Sequence, residues 1–149
     1  MSEVFKIILT SSLTIIGGVI VFLLSEIINK FIISPIHEQK KIIGEIADSL
    51  IYYANIYTSQ VGAKQEQLIE ASEDLRQLAT LLRSKTQLIP SYSFFVSMHV
   101  VLPIDNINTA SRELIGLSNA IFQKQDHLAN LTSEDRADRI ADALNIEIG

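Results

Sequence analysis

The chain has no cysteine among its 149 residues. Disulfide bridges and thiolate metal centres are therefore excluded, and the composition suits a reducing compartment. Strand-like alternation of apolar and polar residues is missing, so no sheet is expected. Internal repeats and low-complexity tracts are missing too. Proline is scarce; Pro35, Pro90 and Pro103 are the three breaks it offers. There is no basic excess either: residues 35–149 carry 15 acidic and 10 basic side chains, the same −5 as the whole chain. That balance argues against a nucleic-acid partner and predicts a domain with little attraction to anionic lipid.

What the chain does have is a run of eighteen residues, 7–24, without a charge, between Lys6 and Glu26. At about 1.5 Å per residue it reaches roughly 27 Å, close to a hydrocarbon core of about 30 Å. No small-x-small cleavage site follows it and it exceeds a usual signal-peptide core, so the expectation is an uncleaved anchor. Lys6 stands alone before the run, whereas Lys30, Lys40 and Lys41 follow it. The positive-inside rule then places the remainder in the cytoplasm, with the anchor in an inner membrane. The expected division is an anchor over 1–34 and a helical-bundle domain over 35–149.

After the run, Ser34-Pro35 predicts a kink or break, because the residue before proline resists helical angles. A second helix is expected over 36–57, with Ile36, Ile43, Ile46, Leu50, Tyr53 and Tyr57 inward, ended by residues 58–62. A third covers 65–88, with Leu68, Ala71, Leu75, Leu78 and Leu82 forming one apolar seam. Residues 104–123 follow Pro103 as a helix with Ile104, Ile107, Leu114, Ile121 and Phe122 inward. Ala110, Ser111 and Ser118 on it are small enough for close packing. A polar link spans 125–131. The helix of 132–145 starts on Thr132 with acids at its positive end and buries Ala137, Ile140, Ala141 and Leu144. The fold class is therefore all-α, one transmembrane helix followed by a small antiparallel bundle.

Candidate functional residues are few. Ser11, Thr14, Gly18, Val21 and Ser25 recur at spacings of three and four and put small residues on one face of the spanning helix. In lipid such a face allows close helix contact, so it is the expected seam for self-association; the plainer reading is that small residues are common in spanning helices. Glu26 is a candidate carboxylate at a pore mouth, or else one that reaches the headgroups beside Lys30. Glu45, Asp48, Arg112 and Asn119 could make a polar network across the bundle, or simply face water. Residues 94–102, FFVSMHVVL, are too short to span. They could lie on the bilayer or take a partner in a groove, but a short helix closing the core is expected, with His99 packed inside.

Nothing in the sequence makes a catalytic or cofactor site. His37, His99 and His127 lack the spacing of a zinc site. Glu134, Asp138 and Asp142 form an acidic stripe without the glycine of a calcium loop. Ser118 sits in a weak echo of a nucleophile elbow, mid-helix and without a preceding strand.

The blocks PIHEQKKIIGEIADSLIYYANIY (35–57), LRQLATLLRSK (75–85) and ASRELIGLSNAIF (110–122) resemble a family of uncharacterised bacterial single-pass membrane proteins. The resemblance covers 35–144 and implies a bacterial origin, with no activity and no site residue to carry over. A proline followed by IADSL (46–50) is similar to the first helix of a HAMP module, but the glycine-bounded connector is missing. HEPN ribonucleases need a histidine four to six residues beyond an arginine, which neither Arg83 nor Arg112 has. The expected function is a non-enzymatic, membrane-anchored module that binds protein, itself first. The alternative is an oligomeric pore or membrane-perturbing effector.

Overall fold

The structure, a computed structural model, describes residues 3–58, 64–122 and 132–148. Among them every regular element is helical. The first three elements are α1 (Glu3–Ile28), a π-helical turn (Asn29–Ile33) and α2 (Ser34–Tyr52). They join into one uninterrupted rod of 50 residues, about 75 Å long at the usual rise.

The break expected at Ser34-Pro35 is therefore not there. Proline has no N–H to give the carbonyl four residues back, and its ring collides with that carbonyl in a regular helix. The turn just before Pro35 is widened instead, and the Ser34 N–H donates to the Asn29 carbonyl five residues back. Such a turn makes room for the ring without ending the helix. Pro35 then occupies the first turn of α2, where a missing donor is tolerated.

The rod changes character along its length. No residue of α1 or of the π-turn is buried, although α1 is dominated by large apolar side chains. From Gln39 onward α2 turns one stripe inward: Gln39, Ile42, Ile46 and Leu50 are buried. Ile42 rather than Ile43 is the fully packed isoleucine of that pair; Ile43 is half-buried. The helix stops at Tyr52, short of the expected residue 57. Tyr53 leaves helical geometry, and α3 (Ala54–Thr58) folds back so that the Tyr57 hydroxyl donates to the Leu50 carbonyl at 2.9 Å.

The bundle is completed by α4 (Gln65–Gln87), α5 (Tyr92–Ser97), α6 (Ile104–Ala120) and α7 (Ser133–Leu144). The chain order packs α2 on α4, α4 on α6 and α6 on α7. Cross-links fix the direction of the first and last of these pairs. Lys85 near the end of α4 pairs with Glu38 at 3.2 Å, while Tyr53 donates to Asp74 at 2.6 Å, so α4 runs antiparallel to α2. Asn106 at the start of α6 donates to the Ala143 carbonyl near the end of α7 at 2.9 Å, so those two are antiparallel as well. The core gathers Leu75, Leu82, Ile107, Leu114, Leu117 and Ile140 around Ile46 and Leu50. Ala110, Ser111 and Ser118 are fully buried as the close-packing reading expected. Ser72 Oγ donates to the Ser118 carbonyl at 3.0 Å, tying α4 to the backbone of α6.

Two apolar residues assigned inward lie outward: Ile104, which begins α6, and Phe122, in the turn after it, are half exposed. Helix α7 begins as predicted. The Thr132 hydroxyl accepts from the Asp135 N–H at 3.1 Å and the Asp135 carboxylate accepts from the Thr132 N–H at 2.9 Å. These bonds from Thr132, side chain first, hold the Asp135 carboxyl below its ordinary range. The expected chain reversal after Thr58 and the polar link 125–131, with His127, lie outside the described residues.

Tyr53 closes the far end of α2. Burial, then its bond to Asp74, push its phenol well above the ordinary value of 10. The unfolded chain releases that proton near pH 10, whereas the folded one retains it. Stability supplied by the protonated Tyr53 is therefore complete below about pH 10 and declines as pH rises above it. Tyr57 and Tyr92 are raised by burial in the same direction. Tyr53→Phe should cost about 1 kcal/mol at neutral pH and make alkaline unfolding, followed by circular dichroism, less steep without abolishing it.

Candidate functional site

Two places carry the features a function could use: the bare face of α1, and the end of the bundle from which the rod emerges.

On α1, Ser11, Thr14, Gly18, Val21 and Ser25 all lie exposed. Two of these hydroxyls are already served within the helix. Thr14 donates to the Thr10 carbonyl at 2.9 Å and Ser25 to the Val21 carbonyl at 2.9 Å. Such bonding lets a hydroxyl sit in an apolar medium without an external partner. A Cβ built on Gly18 meets nothing within 4 Å, so within one chain the position is open on every side. Glu26 is exposed, and forms no ion pair with Lys30.

At the emerging end, a chain of hydrogen bonds ties the rod to the segment between α4 and α6. The Gln39 amide donates one hydrogen to Thr86 Oγ1 at 2.7 Å and the other to the Tyr92 hydroxyl at 3.0 Å. Each acceptor hands its own proton on: Thr86 to the Leu82 carbonyl and Tyr92 to the Leu102 carbonyl, both at 2.7 Å. One buried amide thereby fixes the last turn of α4, the start of α5 and the approach to α6. Burial raises the Tyr92 phenol, and the Gln39 bond partly opposes it. The sequence did hold a signal for this. Gln39 falls three, seven and eleven residues before Ile42, Ile46 and Leu50, a polar side chain on an apolar stripe.

The second buried polar pair is Glu113 with Arg136, 2.7 Å apart between α6 and α7. Its signal was again an ionisable residue inside a buried stripe, between Ala110 and Leu117. The guanidinium lies over Gly116, where a Cβ would collide with it. Ser111 Oγ is the one buried side-chain oxygen or nitrogen among the described residues that lacks a hydrogen-bond partner.

The expected network of Glu45, Asp48, Arg112 and Asn119 is not assembled. Helix α4 stands between α2 and α6, so the two halves find other partners. Glu45 pairs with Lys41 at 3.6 Å, and with Asp48 it borders a shallow groove against Asp74 and Gln77 of α4. Asn119 accepts from Arg76 of α4 at 2.7 Å. Arg112 points outward, 71% exposed, with Glu113 at 3.7 Å as its ionic neighbour.

His99 is also displaced from expectation. It is exposed with a positive φ of 57°, at the turn after α5. Of residues 94–102, Val101 is buried and Leu102 packs against the core, while Phe94 and Met98 face outward. His99, Val100 and Pro103 border a groove of about 470 Å³ with Lys40, Ile43 and Leu144. No group of three His, Asp or Glu among the described residues is placed to hold a metal ion. Compared with models of protein families, with curated proteins and with solved structures, the chain matches none of them.

Proposed function

We propose that this chain is a single-pass, membrane-anchored helical module of a bacterial inner membrane, non-enzymatic, which acts by self-association with its bundle in the cytoplasm. The observation that carries the reading is the rod. Its first thirty or so residues are long and apolar enough to cross a bilayer yet bury nothing against the bundle. A helix of that composition left bare in water would be a large aggregation-prone surface; in lipid it is solvated. The lysines after the run favour the cytoplasmic side for the bundle. The exposed line from Ser11 to Ser25, with the Thr14 and Ser25 hydroxyls internally bonded and Gly18 open, supports helix-to-helix contact. Confinement to a plane raises effective concentration, so modest contacts suffice.

Gly18→Ile tests the seam. Nothing within the monomer obstructs the new side chain, so a change in assembly reports contact between copies. Crosslinked oligomer in mild detergent should fall several-fold, and an unchanged yield would overturn the seam. Recovery of the full chain from the aqueous fraction without detergent would overturn the anchor. Dye leakage from reconstituted liposomes would replace a plain scaffold with a pore.

A further inference from the structure

We propose that the π-turn at Asn29–Ile33 is an angular setting held open by Pro35, and that this one proline fixes the direction in which the bundle stands about the rod. The inference concerns the geometry of a single chain, so it stands or falls apart from the self-association reading.

The cause lies in one ring. Across the turn, the Ser34 N–H reaches the Asn29 carbonyl five residues back. Residues 29–33, NKFII, contain neither glycine nor proline and can continue an α-helix unaided. In unbroken α-helix, however, Pro35 would press its ring on the Phe31 carbonyl, four residues before it. The wide turn removes that collision. With an ordinary residue at position 35, nothing local favours a bond five residues back over one four back.

Packing does not compete with that cause. None of residues 29–33 is buried, and the first buried side chain of the rod is Gln39. Beyond the turn, by contrast, α2 is tied fast. Gln39 bonds Thr86 and Tyr92, and Glu38 pairs with Lys85. Any rotation of α2 about the rod axis therefore carries the bundle with it. In a chain confined to a bilayer, that rotation decides which side of the bundle a neighbour meets.

The size of the setting follows from counting. Each residue of an α-helix advances about 100° and 1.5 Å. The wide turn takes up one residue while gaining neither angle nor rise, so it matches an α-helix about one residue shorter. Ser25 and Lys41 lie on either side of it, and both are exposed. They stand about 60° apart round the rod with the wide turn, and about 160° apart without it.

The chain contains no cysteine, so Ser25→Cys and Lys41→Cys place a single pair of spin labels. The labelled full chain would be diluted with unlabelled chain in mild detergent and the distance within one rod read by double electron–electron resonance. Lys41→Cys also removes the surface pair with Glu45, but equally in every variant compared. Pro35→Ala in this background should lengthen the distance by roughly 5 Å. Deleting Phe31 as well should restore the original distance, because an all-α rod one residue shorter reproduces the native angle and rise. Phe31 is 60% exposed, so its removal takes nothing from the core. A variant that merely damaged the fold would not be mended by losing a residue. An unchanged distance in Pro35→Ala would overturn the proposal, and so would a change that the deletion fails to reverse. Loss of helix content in Pro35→Ala, read by circular dichroism, would overturn it too, since the proline would then hold the rod together rather than set its angle.

Discussion

Leu50→Ala is expected to destabilise the bundle by about 3 kcal/mol, while Ile51→Ala, one residue on, should cost less than about 0.5 kcal/mol. Leu50 is fully buried and belongs to the core cluster with Ile46, Leu75 and Leu82. Ile51 is 56% exposed, about 100° round the same helix. Truncating Leu50 removes packed methyl groups and leaves a cavity that the neighbouring helices can only partly close. Its carbonyl also receives the Tyr57 hydroxyl, so backbone adjustment there disturbs α3. Out of a typical total of about 5–15 kcal/mol, such a loss lies within reach of unfolding the domain. Thermal unfolding of the full chain in detergent, followed by circular dichroism, reads both variants. Equal losses at the two positions would mean that α2 does not face the bundle as described.

Arg136→Met should cost about 2 kcal/mol, and adding Glu113→Leu should restore most of it. Glu113 is almost fully buried, with its carboxylate 2.7 Å from the guanidinium. Removing the cation strands a charge where water cannot reach it, a change that costs about 3–5 kcal/mol when both partners are deep. Arg136 is a quarter exposed, so part of the pair is already screened and the lower figure applies. Arg112, 3.7 Å from the carboxylate but 71% exposed, compensates only weakly because water screens it. A methionine–leucine pair of similar volume needs no compensation at all, which is why the double variant recovers. Non-additivity measured by a double-mutant cycle would be the evidence of coupling; simple addition of two losses would refute it.

How far the sequence could be read depended on whether a feature was local. The seam of α4 from Ala71 to Leu82, the Thr132 start of α7 and the all-helical class follow from periodicity and capping, which neighbours in sequence decide. Pro35 is local too, yet it was misread, because a proline ring is accommodated either by ending a helix or by widening the turn before it, and the chain takes the second course. The network assigned to Glu45, Asp48, Arg112 and Asn119 failed for another reason. Sharing a face tells which residues of one helix look the same way, not which helix stands opposite, and α4 occupies the intervening place. His99 was drawn inward by its apolar neighbours, yet it sits at the turn that ends α5. Gln39 and Glu113 were legible in principle, as polar residues on buried stripes, but their partners are 47 and 23 residues distant.

The turn at residues 29–33 holds one residue more than an α-turn, a phase offset of about 100°. On an unbroken α-helix, the side of the rod burying Ile42, Ile46 and Leu50 would lie roughly 60° round from the line of Ser11, Thr14, Gly18, Val21 and Ser25. With the offset, the two stand roughly 160° apart. The extra residue thus sets an azimuth. It swings the bundle to the back of the stripe, so two rods can meet front to front with their bundles clear of each other.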